Sequence, residues 1–142
     1  MPKIKDNSRL CLFVDGASRG NPGPSAIGGV VFSDSGVKVA EISRYVGVTT
    51  NNVAEYLGVI YGLQEGFLLG AVSVLLKTDS QLVAKQLKGS YRVKDAKIRI
   101  FFDIASSLFR FFKNVEIEEI PREENSEADR LANSALDAKT LL

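Results

Sequence analysis

The 142-residue chain has no histidine and a single cysteine. Those two shortages remove Ser-His-Asp and Cys-His catalysis and leave no ligand set for a structural or catalytic zinc. Cys11 alone cannot form an intrachain disulfide. Chemistry here must run on carboxylates, hydroxyls, Lys and Arg, or the backbone, and carboxylate sites favour hard cations such as Mg²⁺ or Mn²⁺. Long hydrophobic runs are also missing. The longest uncharged apolar-rich stretch, Gly66 to Leu76, covers 11 positions, against the roughly 20 that span a bilayer. Residues 1–8 hold no apolar signal core. A soluble, cytoplasmic protein without membrane contact is expected.

Charge of one sign is scarce as well: 18 Lys and Arg stand against 17 Asp and Glu, a net +1. The average hides a division. Residues 85–99 carry Lys85, Lys88, Arg92, Lys94, Lys97 and Arg99 against Asp95, whereas residues 115–129 carry Glu116, Glu118, Glu119, Glu123, Glu124, Glu127 and Asp129 against Arg122. Two solvated faces would explain this, unless both segments flank one cleft.

The length suits one domain, 1–142 with a core at about 8–138, large enough to bury a proper interior. Arg9 to Val14 reads as a strand ending at the turn signal Asp15-Gly16. Ala26 to Ser33 and Val37 to Val46 follow as hairpin strands around Asp34-Ser35-Gly36. From Asn52 to about Gly70 the apolar period becomes helical. Val72 to Thr78 is a strand reached by a crossover, so it pairs in parallel. Asp79-Ser80 caps a short helix through Leu87, Asp95 to Lys113 is a longer one, Val115 to Ile120 a last strand, and Ser126 to about Ala138 a last helix. Ile100, Ile104 and Phe111 lie off the main stripe of the longer helix, with burial between sheet and helices as the expected reason and contact with a partner or second copy as the alternative. The order β-β-β-α-β-α-α-β-α gives an α/β domain on a mixed five-stranded sheet.

Open α/β sheets bind ligands beyond the carboxyl ends of their strands. Asp15 follows the first strand and Asp79 the fourth, so parallel pairing would set the two side by side. Glu55, in the first turn of one helix, and Asp129, near the start of another, could lean over the same edge. Each has a structural alternative: Asp15 as turn chemistry, Asp79 as an N-cap, Glu55 in a capping box with Asn52, Asp129 as complement to a helix dipole. Together these alternatives weaken, because clustered carboxylates repel and call for a cation. The loop Gly16 to Pro24 lacks the Lys-Ser/Thr ending of a P-loop and leads into a strand, which disfavours nucleoside triphosphates.

Four segments resemble the type 1 ribonuclease H family: Val14-Asp15-Gly16-Ala17-Ser18-Arg19-Gly20-Asn21-Pro22-Gly23-Pro24, Thr49-Thr50-Asn51-Asn52-Val53-Ala54-Glu55, Thr78-Asp79-Ser80, and Asn125-Ser126-Glu127-Ala128-Asp129-Arg130-Leu131-Ala132. They occur in family order over nearly the whole chain. The resemblance implies a ribonuclease H-like fold, monomeric, cutting the RNA strand of an RNA/DNA hybrid with two Mg²⁺ or Mn²⁺ ions and leaving 5′-phosphate and 3′-hydroxyl ends. It implies that Asp15 bridges both ions, that Asp129 completes the ion activating water, and that Glu55 and Asp79 hold the ion facing the leaving oxygen. It further implies sugar contacts from Gly16, Ala17, Ser18, Asn21, Asn51 and Asn52 and a DNA phosphate contact from Thr50, with Arg92 and Lys94 tracking the backbone. Asn51 or Asn52 could instead cap a helix. Double-stranded RNA, which shares the A-like groove and its 2′-hydroxyls, is a second candidate substrate.

Three departures stand out. Pro121-Arg122-Glu123-Glu124-Asn125 occupies the place of the family's loop His, the separate basic protrusion is reduced to Gly89-Ser90-Tyr91-Arg92-Val93-Lys94, and a form acting without a hybrid-binding domain ahead of residue 8 is expected. Two other readings remain open: a non-catalytic hybrid or double-stranded RNA binding module, and a proofreading-type exonuclease. Against the latter, Ala17 stands where an Asp-x-Glu motif would need its Glu.

Overall fold

Alternating burial builds the central strand. In β1 (Arg9–Ser18), Leu10, Leu12 and Val14 are buried on one face while Cys11 and Phe13 turn to the other. The computed structural model describes residues 9–141; the ends of the expected domain, 1–8 and 142, lie outside them. β2 (Gly23–Phe32) and β3 (Lys38–Thr49) add antiparallel to one side of β1, and the helix α1 (Asn51–Leu68) crosses over to β4 (Ser73–Thr78), parallel to β1 on its other side. The helices α2 (Gln81–Leu87) and α3 (Ala96–Leu108) lead to β5 (Asn114–Glu119), parallel to β4, and α4 (Ser126–Leu141) ends the chain. The sheet runs β3-β2-β1-β4-β5, the mixed five-stranded arrangement expected from the sequence.

The layers follow from which glycines face which helix. β1 residues 14 and 16 share the face covered by α1, while Asp15 pairs with Gly28 on the face covered by α4. A Cβ on Gly28 would stand 2.0 Å from the Ala128 carbonyl oxygen and 2.6 Å from the Ala132 nitrogen, so α4 rests directly on the backbone of β2. A Cβ on Gly16 would stand 2.2 Å from the Ala54 carbonyl carbon, which seats the first turn of α1 against β1 with equal closeness. The core between sheet, α1 and α3 joins Leu10, Leu12, Val14, Tyr56, Leu63 and Leu76.

Several expectations are corrected. β1 does not stop at Asp15-Gly16; pairing with β2 continues to Ser18 opposite Ser25, so Asp15 is a strand residue. α3 ends at Leu108, and a 3₁₀ turn, Phe109–Phe111, tightens the chain before β5. Ser107 contributes to that ending by donating its hydroxyl to the Ile104 carbonyl at 2.7 Å, a local bond that competes with the helical ladder. Ile100, Ile104 and Phe111 are exposed, not buried, because only Ile98 and Ala105 of α3 are fully covered. No helix among the described residues is long and apolar enough to cross a membrane.

Gly28→Ala tests the α4 contact by calorimetric melting. It should cost about 3 kcal/mol through backbone overlap, against about 1 kcal/mol for Gly36→Ala, where φ is +86° but nothing lies within 4 Å.

Candidate active site

The two central strands end at different heights. The parallel pairing of β1 with β4 closes with Val14 opposite Thr78, while β1 runs on to Ser18. Beyond that last rung, the Val14 carbonyl and the Gly16 N–H, two residues apart on one strand edge, have no strand partner, and such buried backbone groups must be satisfied. Side chains do it. The Gly16 N–H donates to Glu55 Oε1 at 2.8 Å, and Asn125 Nδ2 donates to the Val14 carbonyl at 2.9 Å. The same step leaves Asp15 beside Asp79, the first residue after β4.

Asp15, Glu55 and Asp79 each present a carboxylate oxygen within 4.8 Å of the others. Asp15 is 5% and Glu55 9% exposed, so little water screens them. Two charges at that spacing repel by about 3 kcal/mol at an effective dielectric near 20. Burial raises the Asp15 pKa, and the charges of Glu55 and Asp79 raise it further. Burial also raises Glu55, against the lowering effect of the Gly16 N–H. Asp79 rises by burial too, opposed by Arg122 and by Asn125. Arg122 brings Nε to 4.0 Å from Asp79 Oδ2, but its side chain is 91% exposed and cannot neutralise three acids. An all-oxygen donor set in a part-buried pocket with surplus negative charge fits a divalent, hard cation.

The capping alternatives for Asp79 and Glu55 fail, while Asp129 keeps its place in the first turn of α4. Ser80, not Asp79, caps α2, accepting from the Val83 N–H at 3.2 Å. Thr50, not Asn51 or Asn52, caps α1, accepting from the Val53 N–H at 3.3 Å, and Glu55 reaches across to β1 instead of back to Asn52. Asp129 stands apart: it is exposed in the first turn of α4, outside the group of three, yet close enough to raise the Asp15 pKa. Asn133 Nδ2 donates to its Oδ1 at 3.3 Å.

The other expected site residues line the turn around this cluster or lie further off. The Ser18 hydroxyl serves the turn, donating to the carbonyls of Gly20 and Thr49. Asn21 Oδ1 accepts from the Asn51 N–H at 3.0 Å, tying the β1–β2 turn to the start of α1. Asn21, Thr50 and Asn52 line one shallow hollow with Asp95 and Lys97. Arg92 and Lys94 line another with Leu82, Ser90 and Tyr91. Gly16 and Ala17 present backbone from the end of β1. Sequence reasoning gave no role to Asn125, because its partner, Val14, is 111 residues away.

With both pKa values raised, the native state binds more protons than the unfolded chain once the pH exceeds about 4, so stability in a chelator falls as pH rises from there. Asp15→Asn should flatten that decline between pH 5 and 8 and raise the melting temperature in chelator at pH 8. Mn²⁺ should stabilise the wild type more than the variant. A thermal melt series with and without chelator checks all three.

Residues 13–135 match the reverse transcriptase-like family. The chain is 43% identical over 129 residues to ribonuclease HI of Halobacterium salinarum, covering 91% of this chain and 65% of that protein. It is 41% identical over 131 residues to a bifunctional protein of Mycobacterium tuberculosis, covering 92% of this chain and 36% of that one. The chain thus spans about a third of the length of the mycobacterial relatives. The crystal structure of the Halobacterium ribonuclease H1 superposes with a TM-score of 0.90 over 92% of this chain and 98% of that one. A ribonuclease H1 named LC11, solved in complex with an RNA/DNA hybrid, is 36% identical and superposes at 0.88 over 94% of this chain and 99% of that one. Sequence, sheet order and superposition agree, and the chain belongs to the reverse transcriptase-like family and, within it, to the type 1 ribonucleases H.

Proposed function

We propose that this chain hydrolyses the RNA strand of RNA/DNA hybrids. The observation that carries this reading is the cluster of Asp15, Glu55 and Asp79 at the stepped end of β1 and β4, in a chain whose neighbour LC11 was solved with a hybrid bound. Asp15, Glu55 and Asp79, with Asp129 leaning in from α4, would hold two Mg²⁺ or Mn²⁺ ions. Such ions lower the pKa of an attacking water and stabilise charge on the leaving oxygen.

The chain's own residues do the rest. Burial of Asp15 and Glu55 keeps bulk water from screening the acids, and the Gly16 N–H fixes one Glu55 oxygen. Backbone at Gly16, Ala17 and Ser18, with Asn21, Asn51 and Asn52, would meet the minor groove, where an A-like helix presents 2′-hydroxyls. Thr50 would meet a phosphate of the DNA strand, and Arg92 and Lys94 would follow the backbone. Water adds to the phosphorus as the bond to the 3′-oxygen breaks, and that oxygen leaves as a hydroxyl after taking up a proton. The products are then a 5′-phosphate and a 3′-hydroxyl. The reading extends to a single domain acting as a monomer in the cytoplasm.

Cleavage of a labelled hybrid with Mg²⁺ or Mn²⁺ should be lost in chelator and fall by about 10³-fold, or about 4 kcal/mol, in Asp15→Asn. Matched double-stranded RNA and DNA duplexes serve as comparison substrates. Binding of hybrid without cutting under either ion would instead identify a binding module. Arg92→Ala and Lys94→Ala should each raise KM and reduce the slope of log affinity against log salt by about 1.

A further inference from the structure

Two backbone groups are left open where β4 stops, and two side chains close them. Glu55 takes the Gly16 N–H and also belongs to the acid cluster. Asn125 takes the Val14 carbonyl at 2.9 Å from a 3₁₀ turn, Arg122–Asn125, that runs without a break into α4. Its side chain is 1% exposed, and its Oδ1 is buried with no hydrogen-bond partner among the described residues. An orphaned buried acceptor costs about 1–3 kcal/mol. An apolar residue would trade that cost for an unpaired Val14 carbonyl, so the amide is what closes this strand edge.

What the amide joins defines the requirement. Val14 immediately precedes Asp15, and its strand partner Thr78 immediately precedes Asp79. Asp129 lies four residues beyond Asn125, one helical turn along α4. The carboxamide also lies close enough to Asp79 to favour its ionised form. The Gly28–Ala128 contact fixes how closely α4 lies on the sheet. Asn125 is the polar contact that ties the helix start to the strand carrying Asp15.

We propose that Asn125 is a positioning residue of the metal site: by holding the Val14 carbonyl at the start of α4, it sets the placement of Asp129 relative to Asp15 and Asp79. The proposal rests on the metal-dependent reading above. It accounts for a fourth carboxylate that stands outside the group of three, on a helix whose start Asn125 ties to β1.

The test compares the full chain with Asn125→Ala and Asn125→Ser, the latter offering a hydroxyl and room for water. Leu63→Ala, a core truncation against the sheet, is the control for lost stability alone. Mn²⁺ binding by titration calorimetry should weaken at least tenfold in both Asn125 variants, the order seen when a group supporting a metal ligand is removed. Hybrid cleavage at saturating Mn²⁺ should show kcat down at least tenfold with KM within about twofold. Leu63→Ala should lower the melting temperature yet keep Mn²⁺ affinity. If Asn125→Ala does not fold, Asn125→Ser decides. Unchanged Mn²⁺ affinity, or loss of the fold in both variants, overturns the proposal. A wild type that binds Mn²⁺ but cuts no hybrid would defeat the nuclease reading while the calorimetry still decides the role of Asn125, and a wild type that binds no Mn²⁺ would overturn both.

Discussion

The site depends on one mismatch of length. β4 stops at Thr78 while its neighbour β1 continues to Ser18, and the step exposes a carbonyl and an N–H that a longer β4 would have paired. A buried strand edge cannot be left open. Glu55 from α1 and Asn125 from the approach to α4 close it from two directions, which draws both helices to the point where Asp15 and Asp79 emerge. Glycine makes the approach possible, since a side chain at position 16 or 28 would occupy the space of helix backbone.

Electrostatics then turns this geometry into chemistry. Three carboxylates within 4.8 Å, two of them nearly buried, are unfavourable as a folded arrangement without a counter-charge. Arg122 is too exposed and too distant to supply it. A divalent cation would supply it, so the repulsion within the cluster and an affinity for metal would be the same free energy seen from two sides. With no histidine in the chain, the proposed hydrolysis would rely on such a cation and not on an imidazole.

Much of this was legible in the sequence because periodicity and order carry it. The switch from alternating residues to a helical period at Asn52, and a strand regained at Val72, suffice for a crossover and hence for Asp15 beside Asp79. What local pattern could not convey came from long-range pairing. Asp15-Gly16 looks like a turn, but β2 keeps the strand going through it. Glu55 looks like half of a capping box, but its partner is 39 residues away in β1. Asn125 carries no local signal at all, since its partner, Val14, is 111 residues away. Ile100, Ile104 and Phe111 look like core by hydropathy, yet α3 packs along α1 and leaves that side open.

The most direct measurement is the chemistry of the ends produced when an RNA/DNA hybrid is cut with Mn²⁺ present. Attack by water at a metal-holding acid cluster yields RNA fragments with free 3′-hydroxyls, which a polymerase extends without phosphatase treatment, and 5′-phosphates on the downstream pieces. Fragments ending in 2′,3′-cyclic phosphates would mean that the RNA's own 2′-hydroxyl is the nucleophile, and would contradict the account.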